Sequence, residues 1–324
     1  MIVVTGGCGF IGSNLVRGLN ERGVEDILIV DDLSQSEKFI NILDCSITDY
    51  RDYRSLIADL SKGAVRGIEA IFHLGACSDT LERDGQYMMR VNYEYSRDLL
   101  LQCAASGIPF IYASSASVYG AGPRFSESPE NEAALNIYAY SKLLFDRYVR
   151  KHSASIDTQV VGLRYFNVYG PREQHKGRMA SVAYHFYNQM KENGFISLFE
   201  GSGGYGHGEQ KRDFIWVSDV VDVNLFFLDN TDINGIFNLG TGYARTFNDM
   251  ACSVVAAVCG SQSDLPGLIE VGTIRYIPFP GELAGKYQSY TRADVNTLRE
   301  VGYDKRFTAL EDGVAEYVHW RNER

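Results

Sequence analysis

The chain of 324 residues has no long hydrophobic run, no paired cysteine motif and no excess of positive charge. No apolar stretch approaches the roughly 18 residues of a membrane-spanning helix, so no membrane partner is expected. Six cysteines (Cys8, Cys45, Cys77, Cys103, Cys252 and Cys259) are scattered without a Cys-x-x-Cys pair. That spacing points away from a zinc site or a disulfide framework, and predicts reduced, mostly buried thiols and no metal. Thirty-one lysines and arginines face 41 aspartates and glutamates, a net charge of −10. A global basic surface for nucleic acid is thereby excluded, while a local basic pocket for an anionic substrate is not. No basic leader precedes Met1-Ile2-Val3-Val4, so the expected location is cytoplasmic. Internal repeats and low-complexity segments are also lacking.

What is present is an ordinary globular composition, 45% hydrophobic and 22% charged, at a length that suits one large domain plus a smaller one. Apolar runs at residues 2–5, 27–31, 39–43, 70–74, 110–113 and 159–164 read as strands. Amphipathic stretches at 13–21, 87–105 and 138–151 read as helices between them. This rhythm predicts an α/β fold: a Rossmann-type doubly wound parallel sheet with right-handed crossovers. After Pro171 the pattern breaks. A helix is expected over 181–193, and then a glycine-rich loop, Gly201-Ser-Gly-Gly-Tyr-Gly-His-Gly208, reads as a flexible connection, with a lid over a substrate as the other reading. Strand character returns over 236–239 before Gly240-Thr-Gly242, and 248–258 is helical. The expected dinucleotide-binding domain is 1–167 with a returning segment at about 214–259. A smaller α/β substrate domain takes about 168–213 and 260–324, over the carboxyl ends of the strands.

The first strand runs into Thr5-Gly6-Gly7-Cys8-Gly9-Phe10-Ile11-Gly12, and a helix follows. Gly6 permits the tight turn, Gly9 lets backbone approach a pyrophosphate, and Gly12 lets the helix pack on the sheet. About 20 residues on, Asp31 ends the second strand, where a ribose-binding acid belongs. Asp31 favours NAD and opposes the 2′-phosphate of NADP. Lys38 could neutralise that phosphate, although by residue type alone it reads as a solvated surface charge. His73-Leu74-Gly75-Ala76 closes the fourth strand, with small residues that admit a close ligand.

Ser114-Ser115 ends the fifth strand, at the sheet edge where such folds bind ligands. Tyr138 and Lys142 are four apart on a helix and share a face. A nearby ammonium favours the phenolate, so the tyrosine pKa is expected to fall from about 10 toward the working range. Tyr138 then serves as general base for a hydroxyl whose carbon loses hydride, with Ser115 on the same oxygen and Lys142 on the nicotinamide ribose. In a chain with 21 tyrosines a Tyr-x-x-x-Lys means little alone. Its place about 23 residues after a Ser-Ser strand end, behind a dinucleotide loop, gives it weight.

These strings, together with Ser114-Ser-Ala-Ser-Val-Tyr-Gly120, Tyr138-Ala-Tyr-Ser-Lys142 and Arg164-Tyr-Phe-Asn-Val-Tyr-Gly-Pro-Arg172, resemble the extended short-chain dehydrogenases that act on nucleotide sugars. The resemblance covers essentially the whole chain. Glu173-Gln-His-Lys-Gly-Arg-Met-Ala-Ser181, Phe199-Glu-Gly-Ser202 and Lys211-Arg-Asp-Phe214 resemble the branch that epimerises an ADP-linked heptose for the lipopolysaccharide inner core. That likeness implies oxidation of a carbinol by bound NADP, turnover of the ketone, and return of the hydride to its other face. Each face needs its own acid/base group. The resemblance implies Tyr138 for one and Lys176 for the other, though Lys176 by itself reads as a surface charge.

By the same resemblance Gly6, Gly9, Phe10, Ile11, Gly12, Asp31, Asp32, Lys38, Leu74, Gly75, Ala76, Cys77, Ser78, Asn92, Lys142, Val168 and Lys176 hold the cofactor. Ser115, Asn167, Arg178, His185, Phe199, Glu200, Gly201, Ser202, Arg212 and Tyr287 hold the ADP-heptose. A guanidinium fork at Arg212 suits a diphosphate. The family uses NADP despite an acidic second-strand end, which makes Lys38 the phosphate partner, with NAD still open. A homo-oligomer, in the form of a pentamer, is implied too. Three departures stand out. Tyr53 replaces an expected lysine near the adenosine phosphate, Arg178 replaces a small residue, and 203–209 lengthens the loop before Lys211. A 4,6-dehydratase is disfavoured because Ala116-Ser117 stand where that chemistry needs carboxylates. A UDP-hexose 4-epimerase shares the loop and the Tyr/Lys pair but has no need of Lys176. A non-catalytic NAD(P)-sensing protein has no need of Ser115, Tyr138 and Lys142 in register.

Overall fold

The structure is a computed structural model described over residues 1–261, 263–281 and 288–324. Its elements run β1 (Ile2–Thr5), α1 (Phe10–Glu21), β2 (Ile27–Asp31), β3 (Asp49–Asp52), α2 (Tyr53–Ser61), β4 (Ala70–His73), α3 (Gly85–Met89), α4 (Tyr95–Ser106), β5 (Phe110–Ser115), α5 (Ile137–His152), β6 (Val160–Tyr165) and β7 (Asn167–Tyr169). Then follow α6 (Val182–Asn193), β8 (Ile196–Phe199), β9 (Lys211–Trp216), α7 (Val217–Asp229), β10 (Gly235–Leu239), β11 (Ala244–Thr246), α8 (Phe247–Cys259), α9 (Leu265–Glu270), β12 (Ile274–Ile277), α10 (Asn296–Glu300) and α11 (Leu310–Asn322).

Strands β1, β2, β4 and β6 are buried along their whole length, as strands covered on both faces must be. They form one parallel seven-stranded sheet in the order β10-β6-β5-β4-β1-β2-β3. The chain winds outward in one direction from β1 and in the other from β4, so a crevice opens between the carboxyl ends of these neighbours. Gly6, with φ +69°, turns the chain there. A Cβ on it would lie 2.7 Å from the backbone nitrogen of Gly75, which follows β4. Only glycine lets the two sides of the crevice close up this far.

Two expectations about the first half are corrected. The run at 39–43 is no strand: residues Ser36–Ile42 form a 3-10 helix, and the third strand is the polar Asp49–Asp52. As an edge strand with β2 on one side only, it needs no apolar face to find its place. In the displaced run the burial is inverted. Phe39, Ile40 and Leu43 are 47%, 41% and 69% exposed, while Asn41 is 1% exposed. The single helix expected over 87–105 is interrupted by a π-turn at Arg90–Glu94, which turns Asn92 inward.

A second core gathers around Phe186, Met190, Leu198, Trp216, Val254 and Val314. It is framed by a three-stranded sheet, β11-β9-β7, and a parallel pair, β12-β8. Helix α8 packs in this core, although the sequence pattern puts the returning segment at about 214–259 with the first domain. Leu298 and Tyr303 join the first core from the segment 260–324 that was assigned to the second. The two cores therefore exchange chain more often than the sequence pattern indicates. Among the described residues, no helix is long and apolar enough to cross a membrane.

Candidate active site

A cavity of about 770 Å³ lies over the carboxyl ends of β1, β4 and β5, and is closed on the far side by the 167–182 segment, Phe214 and Phe247. Its floor is the glycine-rich turn. Helix α1 begins after Gly9 with no side-chain cap and no acid in its first turn, and Phe10, Ile11 and Gly12 line the cavity. A Cβ on Gly12 would stand 2.1 Å from the Gly6 carbonyl oxygen. An uncapped helix start beneath a side-chain-free turn is a seat for a pyrophosphate, and the walls fit a dinucleotide on that ground.

At one end of the cavity Asp31 is turned back into the protein. Its Oδ2 accepts from the backbone N–H of Cys8 at 2.7 Å, and its Oδ1 pairs with the Lys38 ammonium. Lys38 also donates to the Asp32 carbonyl at 2.9 Å, so its charge is fixed in the cavity wall beside Ser34 and Gln35. Tyr53 lines the same end, and the Arg54 guanidinium stacks on its ring at 4.8 Å.

At the other end stand Ser115, Tyr138 and Lys142. Helix α5 starts at Asn136, whose side chain accepts from the Ala139 N–H, and this cap aims its first turn at the end of β5. The Ser115 hydroxyl accepts from Ser117 Oγ at 2.9 Å and hydrogen-bonds the Tyr138 phenol. Burial pushes the Tyr138 pKa above its ordinary value, and the Ser115 bond only moderates the rise. The expected fall is thus corrected. The Lys142 ammonium is engaged elsewhere, donating to the Ala113 carbonyl at 2.8 Å.

Lys142 itself is pulled down to about 8 by burial, against which the Asp146 carboxylate works. Asp146 lies one turn further along α5 and is fully buried. It accepts from Tyr112 at 3.0 Å, from Ser114 at 2.9 Å and from Arg164 Nε at 2.9 Å. Arg164, also fully buried, continues to Glu132 and to the Tyr119 hydroxyl. This network ties α5 to β5 and β6 directly beneath the reacting groups. It went unmarked in the sequence, where Lys142 and Asp146 at a helical spacing of four were the available sign.

Lys176 is half-buried in the cavity wall with its ammonium 5.8 Å from the Phe10 ring. Burial lowers its pKa and Glu173 opposes this. Glu173 is buried and accepts from the Ser181 N–H, from the Ser181 hydroxyl at 2.7 Å and from the Gly170 N–H at 3.3 Å, so it knots both ends of the loop that carries Lys176. Arg172, with φ +72°, is held in a strained backbone by its bonds to the Asn41 carbonyl and to Asp44.

Of the residues expected at the cofactor, Gly6, Gly9, Phe10, Ile11, Gly12, Asp31, Asp32, Lys38, Leu74, Gly75, Ala76, Cys77, Ser78, Lys142, Val168 and Lys176 line the cavity. Asn92 lies behind the wall: its Oδ1 accepts from the Cys77 N–H at 2.8 Å and its amide donates to the Cys77 carbonyl at 2.9 Å, bracing that loop. Ser115, Asn167 and Arg178 line the cavity, the last exposed and paired with Asp79 at 2.7 Å. His185, Phe199, Glu200, Gly201, Ser202 and Arg212 are outside the wall traced by the described residues, and Tyr287 lies outside the described residues altogether. Arg212 is buried over the Phe247 ring, and Phe247 does reach the cavity. The 201–208 loop is fastened. Gly201 N–H donates to His207 Nδ1 at 3.1 Å, Gln210 donates to Ser202 at 3.2 Å, and Asn248 donates to the His207 carbonyl at 2.9 Å.

Known proteins resemble this chain in sequence and in fold. The sequence profile of the NAD dependent epimerase/dehydratase family matches residues 2–240. An ADP-L-glycero-D-manno-heptose-6-epimerase of Thiobacillus denitrificans is 53% identical over 98% of this chain and 97% of its own. The crystal structure of the Helicobacter pylori enzyme of the same name superposes with TM-score 0.83 at 29% identity, over 100% of this chain and 96% of that one. A Thermotoga maritima UDP-glucose 4-epimerase, solved with UDP-glucose, superposes with TM-score 0.79 at 27% identity, over 99% and 98%.

Proposed function

The chain belongs to the NAD dependent epimerase/dehydratase family, and from that footing we propose that it interconverts ADP-D-glycero-D-manno-heptose and ADP-L-glycero-D-manno-heptose by inverting C6″. The observation that carries the reading is Lys176 in the wall of the cavity that also holds Tyr138, on a different element and in a setting that lowers its pKa. A 53%-identical relative bearing that activity supports the choice of sugar.

When bound, a nicotinamide dinucleotide supplies a hydride acceptor and, in its oxidised form, a positive charge beside the phenol that favours phenolate. Tyr138 takes the proton of the C6″ hydroxyl as the carbon loses hydride, and Ser115 hydrogen-bonds the same oxygen. The resulting ketone turns within the cavity. Lys176 then gives a proton to the oxygen as the hydride returns to the opposite face, and the reverse reaction exchanges the two roles. A lysine whose ammonium is partly desolvated releases and regains a proton more readily than one in water. Asn167 and Arg178 join Ser115 as the described cavity residues proposed to meet the sugar nucleotide.

NADP is the proposed dinucleotide. In its support, the Asp31 carboxylate that would oppose a 2′-phosphate is engaged by the Cys8 N–H and offset by the Lys38 ammonium at the same end of the cavity. A cytoplasmic homo-oligomer, a pentamer by resemblance, completes the proposal. The test is incubation of the enzyme with ADP-D-glycero-D-manno-heptose and, separately, UDP-glucose, followed by NMR. Appearance of the L-glycero epimer, lost in Lys176→Ala, is expected. Conversion of UDP-glucose alone, or near wild-type heptose epimerisation by Lys176→Ala, refutes the two-base reading.

A further inference from the structure

Asn41 is a polar residue buried where its apolar neighbours Phe39 and Ile40 are exposed, and that inversion calls for a reason. Every polar atom of its side chain is engaged. The amide nitrogen donates to the Cys8 carbonyl at 3.0 Å and to Nδ1 of His175 at 3.0 Å. The amide oxygen accepts from Gln174 Nε2 at 3.1 Å, and the backbone carbonyl of Asn41 accepts from Arg172. The bond to His175 requires a neutral ring with its proton on Nε2, and burial together with the Lys176 and Lys38 charges holds that imidazole at about 4.

Cys8 belongs to the glycine-rich turn under the dinucleotide, whereas Gln174 and His175 immediately precede Lys176. The segment holding Asn41 also carries Lys38. One side chain therefore joins the floor of the cofactor site to the loop of the second base. Arg172 on Asp44, Glu173 on Ser181 and Asn14 of α1 on the Pro171 carbonyl also hold this stretch, but the Asn41 side chain is what bonds both the cofactor turn and the two residues before Lys176.

We propose that Asn41 is the positioning residue of the second base: it fixes the Lys176 loop on the cofactor loop, and so sets the geometry of proton transfer on one face of the substrate carbon only. This rests on the two-base epimerase reading. The Tyr138 side is anchored independently, through α5 and the Asp146–Arg164 network. Loss of Asn41 should then be felt by one epimer and not by the other.

Overall epimerisation cannot show this, because its forward and reverse rates are tied by the equilibrium constant. The half-reactions can. The NADP-saturated holoenzyme is mixed with each ADP-heptose epimer in a stopped-flow instrument, and the first appearance of reduced nicotinamide absorbance is timed. Lys176→Ala identifies the epimer that Lys176 serves. Asn41→Leu, which keeps the volume and removes the hydrogen bonds, is expected to slow that same half-reaction by about 10-fold or more, since small misplacements of reacting groups have effects of this order. The half-reaction of the other epimer should change by less than about 2-fold. Gln174→Ala removes one of the bonds from the outer side of the cluster. It should give the same selectivity in weaker form, and it decides the matter if Asn41→Leu does not fold. Equal losses on both epimers, or no loss on either, overturn the proposal. If the wild-type enzyme turns over neither ADP-heptose, the substrate reading fails, and the same comparison on the nucleotide sugar it does turn over still decides the role of Asn41.

Discussion

Replacing Asp146 by asparagine probes how the Lys142 ammonium is held in its charged form. Lys142 is held at about 8 because burial lowers it and the Asp146 charge restrains the fall. The two side chains are one helical turn apart, about 6 Å at that spacing. Two unit charges at this distance interact by roughly 3 kcal/mol at an effective dielectric of about 20. Asparagine removes the charge and can keep the oxygen that accepts from Ser114 and Arg164, with its amide nitrogen turned to the Tyr112 hydroxyl, and Arg164 is left with Glu132 as its remaining carboxylate. Even if half of the interaction is compensated by relaxation, Lys142 gives up its proton at least about one pH unit lower. At pH 7 roughly nine-tenths of the wild-type lysine is charged, and about half or less of the variant's. Turnover that depends on the ammonium is lost as pH rises through its pKa, so the alkaline limb of the kcat profile should move to lower pH in Asp146→Asn. The profile is measured on holoenzyme well below the unfolding temperature, since weakening a buried ion pair also costs stability. An alkaline limb that stays in place in a folded variant would falsify the electrostatic role and leave Asp146 as scaffolding.

Gly12→Ala places a methyl group 2.1 Å from the Gly6 carbonyl oxygen, and overpacking of this kind costs about 1–3 kcal/mol. The purified variant should carry markedly less bound nicotinamide than the wild type, measured by release on denaturation; unchanged content rules out this turn as the pyrophosphate seat. Lys38→Ala removes a charged hydrogen bond worth about 1.5–3 kcal/mol, so NADP should bind about 10- to 100-fold more weakly while NAD is little affected. Titration calorimetry with both dinucleotides checks this, and equal losses for the two refute the assignment of Lys38 to the 2′-phosphate.

The cofactor turn was readable because everything it needs is local: strand, glycine, glycine, helix start, all within a dozen residues. The same holds for Ser115 and for Tyr138 with Lys142, which are carried by regular elements whose ends the sequence pattern locates. Where the reading failed, the deciding contacts were distant in the chain. The run at 39–43 reads as a strand because most of its residues are apolar, but the third position in the sheet belongs to a polar edge strand that needs only β2 as a neighbour. The expected depression of the Tyr138 pKa assumed that the ammonium faces the phenol, and Ala113, 29 residues away, takes that hydrogen bond instead.

Lys176 shows most clearly what local reading omits. Its surroundings, Glu173-Gln-His-Lys-Gly-Arg178, have the composition of a solvated loop, and resemblance alone brought it into the site. In the fold its polar neighbours find partners: Glu173 on the half-buried Ser181, the buried Arg172 on Asp44 at the surface, and Gln174 Nε2 and His175 on the buried Asn41. Polar side chains here are the means of burial, because a loop can leave water only if its hydrogen-bonding groups are satisfied elsewhere. The lysine they surround lies over the Phe10 ring and has Glu173 as the charge opposing its desolvation. A fully paired lysine would be held in its charged form and serve poorly as a proton donor and acceptor. The loop is polar so that it can be buried, and it is buried so that one of its members can titrate.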